Sequence, residues 1–141
     1  MDMQIIKIGR HRMDLIVAQT EKVLKGNWLC TGDAAVIDSN GLLRIKGRND
    51  DLIIRAGMNI YPQEIERALR MDQRVREVLA YGIRHPFRSV LIGLKISGDF
   101  STIDEVKELC IQVLPSFQVP FHIELLDELP KNGSGKIIRK K

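Results

Sequence analysis

A charged, turn-forming stretch, Gly47-Arg48-Asn49-Asp50-Asp51, cuts this sequence into two parts with different patterning, and that cut limits what the chain can fold into. Ahead of it lies a hairpin pattern. Residues 34–38 and 42–46 flank Ser39-Asn40-Gly41, and Asn-Gly supplies the positive φ angles that a tight hairpin needs. Further upstream, residues 13–25 fit a helix that Gly26-Asn27 stops. Beyond the cut, short apolar runs alternate with amphipathic ones. Residues 52–54 form a strand and Ala56-Gly57-Met58-Asn59 a turn. Pro62 opens a helix through Glu64-Ile65-Glu66-Arg67-Ala68-Leu69, with Glu64 and Glu66 read most simply as partners of its dipole. Residues 75–83 and 89–96 read as strands about a turn near His85-Pro86. A second helix covers 102–114, a third strand 121–126, and a last helix starts at Lys136. Mixed in this order, the elements predict an α+β fold in which helices cover a mainly antiparallel sheet.

Bulk properties exclude several classes. With 141 residues, 44% of them hydrophobic, the chain can bury a core as one domain or one domain plus an extension. A formal charge of +4 with few aromatics argues against a nucleic-acid partner. The basic residues Lys136, Arg139, Lys140 and Lys141 read mostly as a solvated helix end. The longest apolar runs, such as 90–94, are far too short for a membrane span. Cys30 and Cys110 match no zinc or disulfide spacing, and His11, His85 and His122 match no metal spacing, so no metal site is expected. The absence of a signal-like opening points to a reducing, cytoplasmic setting. Residues 1–12 carry nothing that decides whether they are native.

Three separated clusters carry chemistry. In Trp28-Leu29-Cys30-Thr31-Gly32-Asp33, the Asp33 carboxylate suits a ribose diol, because two oxygens match two vicinal hydroxyls; the alternative is a turn cap. Trp28 reads as packing. Gly47 and Gly57 enclose a second cluster that contains Arg48 and Asp50, where Asp50 also suits a simple turn. The third is Leu129-Pro130-Lys131-Asn132-Gly133-Ser134-Gly135-Lys136, which holds a lysine on a glycine-rich loop, a tool for gripping anionic oxygens. An aspartate, an arginine and a distant lysine suit a ribose, a phosphate and a developing negative charge.

In this order the clusters resemble the adenylate-forming enzymes: acyl-CoA synthetases, peptide-synthetase adenylation domains and luciferases. Gly-Arg-x-Asp-Asp and Gly-x-Asn-Ile-Tyr-Pro-x-Glu-Ile-Glu, over residues 47–66, look like the hinge and first strands of that family's small C-terminal domain. Leu114-Pro115-Ser116-Phe117-Gln118-Val119-Pro120 is similar to its Leu-Pro-x-Tyr-x-Val-Pro segment, and residues 129–139 resemble its catalytic ending. The resemblance implies that Asp33 binds the ribose hydroxyls of ATP and that Arg48 contacts ribose or phosphate. It implies a hinge at Asp50, and a Lys136 that bridges the attacking carboxylate and the α-phosphate. Gly57 and, less directly, Asn59 would lie along the pantetheine path of CoA. Met58 would line that path or fill the core.

The same resemblance implies that residues 1–49, with their hairpin at 34–46, are the terminal strip of a large N-terminal domain. Residues 50–141 would be a mobile C-terminal domain. The large domain's phosphate loop and acyl pocket are not in this sequence, so ATP with Mg2+ would be held mainly elsewhere, and the chain alone is expected to be inactive. Ala56 stands where CoA ligases usually have glycine, and Arg88-Ser89 replaces a common Gly-Glu. The implied activity is ATP-dependent activation of a carboxylic acid and transfer to CoA. Two alternatives stay open. One is transfer to a carrier-protein phosphopantetheine through a basic face near Arg84, Arg88 and the basic tail; the other is a non-catalytic nucleotide- or partner-binding module.

Overall fold

The computed structural model describes residues 24–25, 28–85 and 88–139. The chain divides into two compact units, Met1–Asp50 and Asp51–Lys141. In the first, β1 (Leu24–Lys25) pairs antiparallel with β2 (Trp28–Leu29), and β3 (Asp33–Ile37) with β4 (Leu43–Arg48). Leu24 and Lys25 are therefore strand, not the end of a helix. The rest of the helix expected over 13–25, the Gly26-Asn27 stop, His11, Pro86, Lys140 and Lys141 lie outside the described residues.

The β3–β4 turn sits where Ser39-Asn40-Gly41 placed it, but by a different device. Of its residues only Gly41 has a positive φ, +78°. The Asp38 carboxylate closes the turn by accepting from the Asn40 and Leu42 amides at 2.9 and 3.0 Å, and Arg44 Nε donates to it at 3.0 Å. This is a three-residue loop with one left-handed residue, not a two-residue turn.

A 3-10 turn, Asn49–Asp51, straddles the division, and the second unit follows. It continues as β5 (Ile53–Arg55), β6 (Met58–Ile60), α1 (Pro62–Leu69), β7 (Val75–His85), β8 (Arg88–Gly98), α2 (Ile103–Val113) and β9 (His122–Leu125). β7 and β8 pair antiparallel, and β9 adds to β8 in parallel, giving the order β7-β8-β9. The sheets are thus mainly antiparallel, as the alternation of elements predicts, with two α-helices among the described residues of this unit. Helix α1 starts on Pro62 and buries Pro62, Ile65, Glu66 and Leu69, one face at helical spacing. Helix α2 is capped by the Thr102 hydroxyl, which accepts from the Glu105 amide at 3.3 Å. Both pack on the sheet face formed by Val78, Ala80, Ile92, Leu94, Ile96 and Ile123.

β5 and β6 form a hairpin closed by Ala56-Gly57, with Arg55 opposite Met58. Both turn residues have positive φ, +51° at Ala56 and +78° at Gly57. Only glycine adopts that conformation freely, so Ala56 carries backbone strain. A left-handed alanine costs about 1–2 kcal/mol, and the extra freedom of an unfolded glycine takes back about 0.4–1 kcal/mol of the relief. Ala56→Gly should therefore stabilise the fold by about 0.5–1 kcal/mol, read as a higher urea midpoint at unchanged slope. A lower midpoint would show that Ala56 is unstrained.

Candidate functional site

In the first unit the strand register brings two of the sequence-predicted residues together. Asp33 opens β3 and Arg48 closes β4, directly opposite each other. Arg48 Nη1 lies 3.5 Å from Asp33 Oδ1, and Nη2 lies 3.9 Å from Asp50 Oδ2. Gly32, at φ +74°, makes room: a Cβ there would sit 3.3 Å from Arg48 Nη2. The Asp33 carboxylate does not cap its own turn. The Thr31 hydroxyl takes that part by accepting from the Asp33 amide at 3.2 Å. The result is a loosely paired, partly exposed carboxylate and guanidinium, able to offer an acceptor to hydroxyls and donors to an anion.

Gly57 and Asn59 lie on the β5–β6 hairpin in the second unit, both exposed. A Cβ at Gly57 would meet nothing within 4 Å, so its backbone angle is what demands glycine in this fold. Met58 is 39% exposed and does not fill the core. Arg55 Nη1 donates to the Phe117 carbonyl at 3.1 Å, tying the hairpin to the 3-10 turn Ser116–Gln118.

Lys136 sits on a different loop of the same unit. No helix starts there. Lys131 bridges to Ile137 in antiparallel fashion, and the Asn132 side chain organises what lies between. Its Oδ1 accepts from the Ser134 amide at 3.1 Å, the Ser134 hydroxyl at 2.8 Å and the Lys136 amide at 2.9 Å. An asparagine that competes for backbone donors in this way favours a turn over a helix. Gly135, at φ +79°, completes the turn.

The two lysines of the loop differ sharply. Lys131 Nζ lies 2.6 Å from Glu77 Oε1 and 2.8 Å from Glu128 Oε1, partners that raise its pKa. Lys136 is exposed, and among the described residues its ammonium pairs with no carboxylate. One lysine fastens the loop and the other presents a charge.

Residue-by-residue reading missed Glu66 and Arg139. Glu66 is no dipole partner: it stands in the buried stripe of α1 with its side chain 4% exposed. Arg139 Nη2 donates to both Glu66 carboxylate oxygens at 2.7 and 2.8 Å, and the Ala80 amide donates to Oε1 at 3.0 Å. Burial pushes the Glu66 carboxyl above its usual range, against the downward pull of the Ala80 amide and Arg139. The available signal was the spacing 62, 65, 66, 69, which puts an acid on a core-facing stripe and so demands a buried partner.

The family of AMP-binding enzyme C-terminal domains matches residues 64–136, just over half of the chain, including the Lys136 loop. The chain belongs to this family. It is 39% identical over 123 residues to the long-chain-fatty-acid–CoA ligase of Haemophilus influenzae, covering 86% of this chain and 22% of that ligase. It is similar in fold to Bacillus subtilis o-succinylbenzoate CoA synthetase in complex with an acyl-adenylate intermediate, with TM-score 0.76 and 29% identity over 87% of this chain and 26% of that one. The same synthetase in complex with ATP and magnesium gives TM-score 0.72 and 30% identity over 83% of this chain and 24% of that one. The chain thus spans about a quarter of the length of these relatives. Among its described residues no group of three or more His, Cys, Asp or Glu is placed to hold a metal ion, and no helix is long and apolar enough to cross a membrane.

The anchor of the family's lysine loop is acid-sensitive. Lys131 first, and the Leu129 amide second, hold the Glu77 carboxyl below its ordinary 4.5. A depressed folded pKa contributes stability that is present above 4.5 and lost as pH falls through the folded value. The protection factor of the Leu129 amide, which donates to Glu77 at 3.1 Å, should therefore drop as pH falls below 4.5. In Glu77→Gln it should be low already at pH 7, and equal protection in both proteins at every pH would dismiss the anchor.

Proposed function

We propose that this chain is the C-terminal part of an AMP-forming acid–thiol ligase, joined to a larger N-terminal domain, that activates a carboxylic acid with ATP and passes it to CoA. The observation that carries the reading is Lys136: an ammonium that pairs with no carboxylate among the described residues, held on a loop whose other lysine is neutralised locally. In the first half-reaction the acid's carboxylate oxygen attacks the α-phosphorus of ATP and pyrophosphate leaves. Two anions must approach, and a cation spanning both offsets the repulsion by roughly 3–4 kcal/mol, on the order of 10² to 10³ in rate. In the second, the CoA thiol attacks the acyl carbonyl and AMP leaves.

The remaining roles follow the same reading. Asp33 takes the ribose hydroxyls and Arg48 the ribose or phosphate. Asp50 is the hinge, and Gly57 and Asn59 border the pantetheine arm. Ile37, Leu43 and Ile45, about half exposed on one face of the β3–β4 hairpin, support its being a strip of the larger domain, since a two-stranded hairpin cannot bury such a face alone. Magnesium would be held with ATP by that domain, because the described residues do not fit a metal. The acyl acceptor is proposed as CoA on the strength of the CoA-ligase relatives, and the setting as cytoplasmic.

The test is ATP–pyrophosphate exchange by the full-length protein, beside thioester formation from pre-made acyl-adenylate. Lys136→Ala should lower exchange by about 10²- to 10³-fold and leave thioester formation within about threefold. Unchanged exchange would remove the catalytic lysine from this chain and favour a binding module.

A further inference from the structure

Three residues beyond Lys136, Arg139 makes contacts beyond what an edge strand needs. Ala80 lies on β7, the outer strand of the sheet, and both its backbone polar groups are met by side chains: its amide donates to Glu66 at 3.0 Å, and its carbonyl accepts from Arg139 Nη1 at 3.2 Å. Arg139 Nη2 also grips both Glu66 oxygens, and Nε lies 3.8 Å from Asp51 Oδ2, which accepts from Gln63 Nε2 at 3.1 Å. One guanidinium thus engages the start of the unit, helix α1 and strand β7. For stability alone this is a poor arrangement, because a buried ion pair often adds no more than an apolar pair of similar volume. What a planar guanidinium that holds Glu66 through Nη2 and the Ala80 carbonyl through Nη1 does supply is fixed distance and angle.

That geometry bears on the loop. Residues 132–136 are exposed, and a Cβ at Gly133 or Gly135 would meet nothing within 4 Å. Their position comes from the two ends. Lys131 is fastened to Glu77 on one side and Arg139 to Glu66 on the other, with Ile138 donating to the Pro130 carbonyl at 2.9 Å between them. We propose that Arg139, seated on Glu66 and Ala80, is the positioning residue for Lys136, fixing where the ammonium can reach during adenylate formation. The proposal rests on the reading of Lys136 given above. Arg139 does not touch the reacting atoms; it acts through the loop.

The experiment uses the full-length protein and both half-reactions. Arg139→Lys keeps the charge against Glu66 and loses the planar fork that holds Glu66 and the Ala80 carbonyl at once. The paired variant Glu66→Gln/Arg139→Gln leaves no buried charge stranded, so it keeps the question answerable should the single change fold poorly. A misplacement of about 1 Å costs on the order of 10²-fold, so each variant should lose about 10- to 100-fold in kcat for ATP–pyrophosphate exchange. KM for ATP and thioester formation from pre-made acyl-adenylate should stay within about threefold. Equal losses in both half-reactions, tracking a lower Tm, would reduce Arg139 to a structural residue and overturn the proposal; so would no loss in either. Lys136→Ala run alongside separates the two ideas. If exchange survives that change, it is the assignment of Lys136 that fails. If exchange collapses there but stays whole in both Arg139 variants, only the positioning role falls.

Discussion

A carboxylate on the core-facing side of a helix cannot be left without partners, and Glu66 of α1 is such a group. Its partners set much of the second unit's layout. The Ala80 amide fixes α1 against the outer edge of β7, and Arg139 brings the end of the described chain back over that edge. An open edge would offer unpaired amides and carbonyls to another strand; at Ala80 both are closed. The pair does this without being a large source of stability. Burial leaves the Glu66 carboxyl raised in spite of Arg139, so the charged form is disfavoured by the fold. By linkage, a raised acid contributes most below 4.5, and that contribution fades as pH rises through the folded value. At neutral pH the contact orients more than it stabilises.

The Lys136 loop shows how one residue type takes two parts by surroundings alone. Lys131 and Lys136 lie five positions apart in the same glycine-rich string. Glu77 and Glu128 converge on the first, and a charge so matched has little field left to offer a ligand. The second projects from a turn whose donors are collected by Asn132 Oδ1, which spares the loop from needing a core of its own.

What the sequence made legible was local. The 34–46 hairpin, the helix opened by Pro62, the helix capped at Thr102 and the alternation of strands all announce themselves within a few residues. The misreadings were local signals overruled by a side chain. Asp38, more than Asn40, closes the first hairpin, and Asn132 turns the chain where a basic run resembled a helix start. Nothing in an alanine's own chemistry favours the left-handed backbone at Ala56, so the only hint was the glycine usual at that place in CoA ligases. The Glu66–Arg139 contact joins residues 73 apart. Periodicity exposes the buried acid but says nothing about which arginine answers it.

The division of the chain gives that contact its physical sense. The main core cluster of the second unit draws on its own residues, from Ile53 to Ile123. The 3-10 turn at Asn49–Asp51 buries none of its residues. A body proposed to swing about Asp50 has to carry its lysine as rigid cargo, or rotation would not translate into a defined ammonium position. That requires every anchor of the loop to lie within the moving body. Glu77, Glu66, Ala80 and Asp51 all do, and none of them belongs to Met1–Asp50. An anchor drawn from the other unit would break on such a rotation, whereas these would travel with the loop they hold.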